Sequence, residues 1–329
     1  MVNEENTPQI THLFRPYNLL IIALTMYLLR FGLLKPMLSF VSDITKLEIT
    51  SQITELWFGL LVLSVLLIAA GGYILNDIRD IKGDKFNNRP NPVDKIISSE
   101  SAYLWYQITT VVGILIGFGV GYKLGNYNLG IIQFAAAVSL WFYSYYFKRE
   151  LVIGNLIVAF VVALVPLTVG IYEVSLIQNE YLTKITEFKD FNFNFISFWF
   201  IGYAGFVFLF TWVREILKDI EDLEGDRRIG ARTLPIQWGV KTANVLVSVL
   251  YGVLIYGLFY VKSHFITDPI SSVFSFLLIF LIILNIVMIW LNKNFLFSPS
   301  TWNKLMSLIG VIYLIALGYI INNELFFHV

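Results

Sequence analysis

The sequence predicts an all-helical integral membrane protein, and three observations carry that expectation. Apolar stretches of about 20 residues, the length a helix needs to cross a bilayer, recur along most of the chain. Charged residues are scarce, 14% of 329 against 57% hydrophobic, where a soluble domain carries about 25% charged. Two acidic phrases, "NDIRDIKGD" (Asn76–Asp84) and "KDIEDLEGD" (Lys218–Asp226), each follow directly on an apolar run.

Nine hydrophobic segments follow one another: Tyr17–Val41, Ile53–Leu75, Tyr103–Tyr122, Leu129–Phe147, Leu151–Tyr172, Ile196–Leu217, Ala243–Lys262, Ile270–Leu291 and Leu305–Ile321. The first is preceded by the polar, acidic "MVNEENTPQITHLFRP", which is unlike a cleaved signal peptide. The second runs to Leu75 and leads into the first acidic phrase; the sixth ends at Leu217 and leads into the second. Between the fifth and sixth lies "SLIQNEYLTKITEFKDFNFN" (Ser175–Asn194), expected to form an exterior loop with an interfacial turn. Helix is the expected conformation for every segment, because backbone groups in lipid have no water to bond.

Nine spans put the chain ends on opposite sides. Lys35, Lys46, Lys123, Lys184, Lys189 and Lys262 fall on one side and Arg30 within a span, whereas the remaining Lys and Arg residues fall on the N-terminal side. The positive-inside rule makes that second side cytoplasmic. Both acidic phrases follow even-numbered segments, so they share the cytoplasmic side and can face each other. There is no cysteine, which excludes disulfides, thiolate metal sites and a Cys nucleophile. Net charge is zero, and no nucleic-acid partner is expected.

At helical pitch Asn76, Asp80 and Asp84 line one face, and Asp219, Asp222 and Asp226 do the same, with Glu215 one turn earlier. Such carboxylates repel one another, the more so near a membrane core, and call for a cation. Oxygen ligands suit Mg²⁺, which takes one or two carboxylates, keeps waters and is completed by substrate phosphates. The three histidines, His12, His264 and His328, are scattered, which argues against zinc. One such cluster alone reads as a solvated helix end; two matching copies on one side favour a joint task. Arg79, Lys82, Arg89, Lys95, Arg214, Lys218, Arg227 and Arg228 are interleaved with the acids, as binding a diphosphate requires. Each base alone also reads as an orientation determinant or an ion-pair partner. Aromatics such as those in "SLWFYSYYFKRE" (Ser139–Glu150) can stabilise a carbocation, or serve as interfacial belt and packing.

With these residues in view, the chain resembles the UbiA-type intramembrane prenyltransferases across nearly its whole length. The family's NDxxDxxxD motif is met by Asn76, Asp77, Asp80 and Asp84, followed by "NNRPNP" (Asn87–Pro92), and its DxxDxxxD motif by Asp219, Asp222 and Asp226. "FRP" at Phe14–Pro16 looks like the family's entry to the first helix. Two departures stand out. "NPVDKIISSE" replaces the family's proline-rich stretch ending in Ser-Gly, and the Tyr-x-x-x-Lys element survives only as Tyr143 and Tyr145 ahead of Lys148.

The resemblance implies a single domain over residues 1–329, with nine transmembrane helices in a bundle around a central cavity and two aspartate-rich cytoplasmic loops. It implies a prenyl transfer from an allylic prenyl diphosphate, with Mg²⁺ held by Asn76, Asp77, Asp80, Asp84, Asp219, Asp222 and Asp226. Asp80, Asp84, Asp222, Asp226 and Lys148 are the implied catalytic residues, and Arg15, Arg79, Lys82, Arg89, Arg214, Lys218 and Arg227 the implied diphosphate ligands. The acceptor is expected to be membrane-associated, either a lipid phosphate such as geranylgeranylglyceryl phosphate or an aromatic such as homogentisate, 4-hydroxybenzoate or dihydroxynaphthoate. Surrounding lipids, in a bacterial or archaeal cell membrane, complete the expected partners. A CDP-alcohol phosphotransferase would need an Asp-Gly…Ala-Arg spacing that is missing here. A divalent-cation transporter would place its acids near the bilayer midplane rather than at helix exits.

Overall fold

A computed structural model describes residues 13–86, 91–93, 95–181, 193–266, 268–294 and 296–323, and among them every regular element is helical. The helices are α1 (Pro16–Thr45), α2 (Glu55–Phe86), α3 (Ser99–Lys123), α4 (Ile131–Phe142), α5 (Ile153–Tyr181), α6 (Asn194–Glu221), α7 (Leu223–Arg228), α8 (Leu234–Gln237), α9 (Val240–His264), α10 (Pro269–Leu291) and α11 (Pro299–Asn322). Eight of these, α1, α2, α3, α5, α6, α9, α10 and α11, are long and apolar enough to cross a membrane. Local chemistry starts several of them. The side chains of Ser98, Asp268 and Ser298 cap α3, α10 and α11, accepting from the main-chain N–H three residues on. Proline follows directly on two of these caps, where its missing N–H costs nothing.

The structure departs from the sequence expectation in three places. The fourth hydrophobic segment is not one regular helix: a 3₁₀ turn (Tyr127–Gly130) precedes α4 and a π turn (Tyr143–Phe147) follows it. The α-helical part alone is 12 residues, about 18 Å long against a hydrocarbon core of about 30 Å. The expected exterior loop begins later than Ser175, because α5 continues to Tyr181; residues 182–192 lie outside the described ones. The first acidic phrase is not a loop, since α2 runs through it to Phe86.

The chain divides into two compact units: Met1–Ala23, Glu55–Val161 and Lys218–Lys241 form one, and Leu24–Thr54, Val162–Leu217 and Thr242–Val329 the other. In the first, small residues let α2 and α3 approach closely. Ser64 Oγ donates to the Gly113 carbonyl at 2.6 Å, and a Cβ on Gly71 would fall 2.4 Å from Thr110 Oγ1. Gly130, at the start of the fourth segment, packs on Phe118 of α3, and Leu140 near its end packs on Gly72 of α2. Beneath the first acidic phrase, Ile74, Ile78 and Ile81 recur at helical spacing and join Leu13, Phe14, Val93, Ala102, Ile97 and Tyr106 in an apolar cluster. That cluster buries one side of α2 and turns the Asn76–Asp80–Asp84 side away from it.

The second unit is held by close backbone approach and buried polar pairs. α1 is interrupted by a π turn (Leu29–Leu34) in which the Lys35 N–H bonds to the carbonyl of Arg30, five residues back. Gly32 in this turn touches α11, where a Cβ would sit 2.2 Å from the carbonyl oxygen of Leu314. Arg30 is 1% exposed and Glu173 is fully buried; Arg30 Nε lies 3.0 Å from Glu173 Oε1. Ser51 Oγ donates to Glu173 Oε2 at 2.7 Å, and Arg30 also donates to Ser51 Oγ and the Ile53 carbonyl. Further along, Asn303 donates to Tyr251 Oη at 3.0 Å.

Candidate active site

The last three turns of α2 set the first motif. Asn76 Nδ2 donates to Asp80 Oδ2 at 2.9 Å, as residues four apart on one face can. Lys148, just beyond the π turn, closes a triangle by donating Nζ to both Asn76 Oδ1 and Asp80 Oδ2. Burial pushes the Lys148 ammonium below its usual range; the Asp80 carboxylate opposes this, and the positive charges of Lys218 and Arg15 add to it. Asp84, one turn past Asp80, accepts from Asn91 Nδ2 at 2.7 Å.

Asp77 lies about 20° around the helix from Asp84 and about 60° from Asp80, at the edge of the motif face. It is 5% exposed and ion-paired to Arg15, whose guanidinium also lies 5.1 Å from the Tyr73 ring centroid. Arg15 itself has φ +49°, a left-handed conformation costly for a residue with a Cβ. The "FRP" segment thus anchors the first acidic helix: Phe14 joins the apolar cluster below it and Arg15 holds Asp77 beside it.

The second motif is broken where the first is continuous. α6 ends at Glu221, Asp222 occupies the junction with φ −94° and ψ 2°, and α7 carries Asp226. Main-chain bonds from Asp222 N to Lys218 O (2.8 Å) and from Asp226 N to Asp222 O (3.0 Å) keep the four-residue step across the break. Asp219, Asp222 and Asp226 are all half-buried. Asp219 Oδ2 accepts from Nδ2 of Asn155, a buried residue in the first turn of α5, at 2.9 Å.

The two motifs meet within the first unit. A Cβ on Gly83 would touch Ile229 Cδ1 at 3.5 Å, which puts the end of α2 against the segment following α7. A main-chain path joins them as well: Arg232 N donates to Arg149 O at 2.8 Å, and Ala231 N donates to Asp226 O at 2.9 Å. Since Arg149 follows Lys148, this path runs from the Asp80 contact to Asp226.

The departure in the Tyr–Lys element has a structural answer. Lys148 N donates to the Tyr143 carbonyl at 2.8 Å, five residues back. The extra residue between Tyr143 and Lys148 is therefore taken up by the π turn, which stacks position i+5 where an α-helix stacks i+4. Lys148 Nζ lies 6.0 Å from the Tyr143 ring centroid, and the Arg79 guanidinium 4.6 Å from that of Tyr145. Both bases engage aromatic faces.

The remaining expected diphosphate ligands are scattered. Lys82 is exposed; Lys218 is half-buried and lies close enough to Lys148 for their charges to repel. Arg227 is largely exposed and 3.8 Å from Glu224, while Arg89 lies outside the described residues. Arg214 belongs to the other unit and pairs with its neighbour Glu215 at 3.0 Å. Among the described residues no three acidic or histidine side chains converge tightly enough to hold a metal unaided. The donors around both motifs are nevertheless carboxylate and amide oxygens, and cations stand beside them. Such a set fits Mg²⁺, which relies on phosphate oxygens and water for the rest of its shell.

The model of the UbiA prenyltransferase family matches residues 47–308. The digeranylgeranylglyceryl phosphate synthase of Sulfolobus acidocaldarius is 32% identical over 239 residues, covering 71% of this chain and 72% of that protein. The enzyme of the same name from Sulfurisphaera tokodaii is 30% identical over 275 residues, 80% of this chain and 85% of that one. A solved UbiA homolog from Archaeoglobus fulgidus, bound to DMAPP and Mg²⁺, shares the fold with TM-score 0.60 at 18% identity, over 94% of this chain and 98% of that one.

Proposed function

Because the chain belongs to the UbiA prenyltransferase family and is a membrane-embedded prenyltransferase, we propose that it transfers a geranylgeranyl group from its diphosphate to geranylgeranylglyceryl phosphate, with Mg²⁺ as cofactor. The observation that carries the acceptor is the similarity, over 71% to 80% of the chain, to two digeranylgeranylglyceryl phosphate synthases. The Mg²⁺ assignment rests on the oxygen donors of the two motifs and on the related fold that binds DMAPP with Mg²⁺.

Asn76, Asp80 and Asp84 from α2, with Asp219, Asp222 and Asp226, would hold the ion. When bound, Mg²⁺ would supply positive charge to offset that of the leaving diphosphate. Lys148 and Lys218, with Arg15, Arg79 and Arg227, stabilise the leaving diphosphate from the protein side. Apolar and aromatic walls, Tyr143 and Tyr145 among them, shield the allylic carbocation from water. The acceptor's glycerol hydroxyl captures it, and its proton passes to a base that a half-buried carboxylate can supply. No protein nucleophile is needed.

Geometry in the first unit supports a ninth crossing by residues 127–147. α3 leads away from the motifs over 25 residues, about 37 Å at 1.5 Å per residue, and the chain is back beside Asp80 at Lys148. With that crossing, both motifs and the N-terminus lie on the Lys/Arg-rich, cytoplasmic side of an archaeal cell membrane. The family match runs through both compact units, which supports one domain over the chain.

The test is reconstitution in liposomes with labelled geranylgeranyl diphosphate and a panel of acceptors. Mg²⁺-dependent label in a lipid product with geranylgeranylglyceryl phosphate, abolished by Asp80→Ala or Asp222→Ala in folded protein, supports the reading. Product formed only on homogentisate or another aromatic would overturn the acceptor, and full activity in either variant the two-motif site.

A further inference from the structure

Each acidic motif is held from outside by a buried asparagine. Asn91, 6% exposed, donates Nδ2 to Asp84 Oδ2 at 2.7 Å and to the Asp77 carbonyl at 2.9 Å, while its Oδ1 accepts from Val93 N at 2.9 Å. That pattern fixes which end of the amide faces Asp84. Asn155, 7% exposed, donates Nδ2 to Asp219 Oδ2 at 2.9 Å. Its position depends on close packing: a Cβ on the preceding Gly154 would fall 2.4 Å from the Phe147 carbonyl oxygen, so only glycine lets α5 begin against the turn that presents Lys148.

We propose that Asn91 and Asn155 are positioning residues for the reaction, each orienting one carboxylate, Asp84 or Asp219, toward the Mg²⁺–diphosphate. This rests on the transferase reading above. An amide N–H suits the task because it fixes a carboxylate's rotation without cancelling its charge, whereas an ammonium or guanidinium does both. Asp77 is held by the Arg15 guanidinium, and Asp80 by both the Lys148 ammonium and the Asn76 amide. Amide donors thus reach carboxylates of both motifs, Asn76 and Asn91 in the first and Asn155 in the second. Partners that orient metal-binding carboxylates from behind are worth about 10- to 100-fold in metal affinity or activity.

Asn155 gives the cleaner test, because Asn91 also supports main chain. Binding of geranylgeranyl thiolodiphosphate to detergent-solubilised protein is followed by calorimetry across a Mg²⁺ titration, for wild type, Asn155→Ala, Asn155→Ser and Asp219→Asn. Asn155→Ala is expected to raise the half-saturating Mg²⁺ concentration about 10- to 100-fold, with kcat at saturating Mg²⁺ much less affected. Asn155→Ser, which keeps a donor, recovers part of the loss and serves in its place if the alanine variant does not fold. In the Asp219→Asn background, removing the Asn155 side chain adds less than about twofold, because the two act as a pair. A Mg²⁺ requirement like wild type in the single variant, or an undiminished effect without the Asp219 charge, would overturn the inference. Wild-type protein that binds the analogue no better with Mg²⁺ than without would instead sink the transferase reading on which it stands.

Discussion

The ion pair of Arg30 and Glu173 lends itself to a quantitative prediction, because both side chains are sealed from solvent. Glu173→Gln keeps size and one acceptor oxygen but removes the negative charge. Arg30 cannot deprotonate in compensation, and Ser51 and the Ile53 carbonyl, to which it also donates, are neutral. A guanidinium stranded in this way costs about 3–5 kcal/mol, roughly two to three and a half orders of magnitude in the ratio of folded to unfolded protein. Replacing both charges, as Arg30→Met with Glu173→Leu, removes the stranded ion. It leaves Ser51 and the Ile53 carbonyl short of a partner, at about 1–3 kcal/mol, so the double variant is expected to be more stable than Glu173→Gln alone. Unfolding free energies measured in mixed micelles with increasing denaturing detergent give the comparison. Glu173→Gln within about 1 kcal/mol of wild type, or a double variant weaker than the sum of its singles, would refute the account of a desolvated pair.

Three other outcomes are expected. Gly32→Ala drives a methyl group into the Leu314 carbonyl; helices must shift, and the variant should lose about 1–3 kcal/mol, so unchanged stability would mean that α1 and α11 are not in backbone contact. Since the chain has no cysteine, Lys95→Cys and Lys123→Cys are single-site reporters in intact cells: an impermeant thiol reagent should spare the first and label the second, and the opposite pattern inverts the topology. Mg²⁺ and a non-hydrolysable prenyl diphosphate should raise each other's affinity by the same factor, with Asp226→Asn weakening the effect; identical metal affinity with and without the analogue would defeat joint coordination.

Helices and the phase of the acids along them were legible in the chain because both are local properties. Lipid enforces backbone bonds four residues apart, and a 3.6-residue period then puts Asn76, Asp80 and Asp84 on one face of α2 whatever packs around it. The same period places Asp77 at the edge of that face, about 20° from Asp84, but which cation would claim it was not legible. Arg15 lies 62 residues away, and only packing of the Leu13–Phe14 segment against Ile74 and Ile78 brings it there. The asparagines behind Asp84 and Asp219 escaped notice for a related reason: one buried amide has no periodicity, and Asn155 is 64 residues from its partner. The Tyr143–Lys148 spacing looked like a departure until the π turn took up the added residue, a choice made by hydrogen-bond register rather than residue type. Residue pattern determined eight of the nine expected long apolar helices, the oxygen-donor chemistry and the two motifs, because these follow from hydropathy and helical pitch. Tertiary structure decided which carboxylates are paired with cations, which are oriented by amides, and where the second motif breaks, because those depend on which helix faces meet.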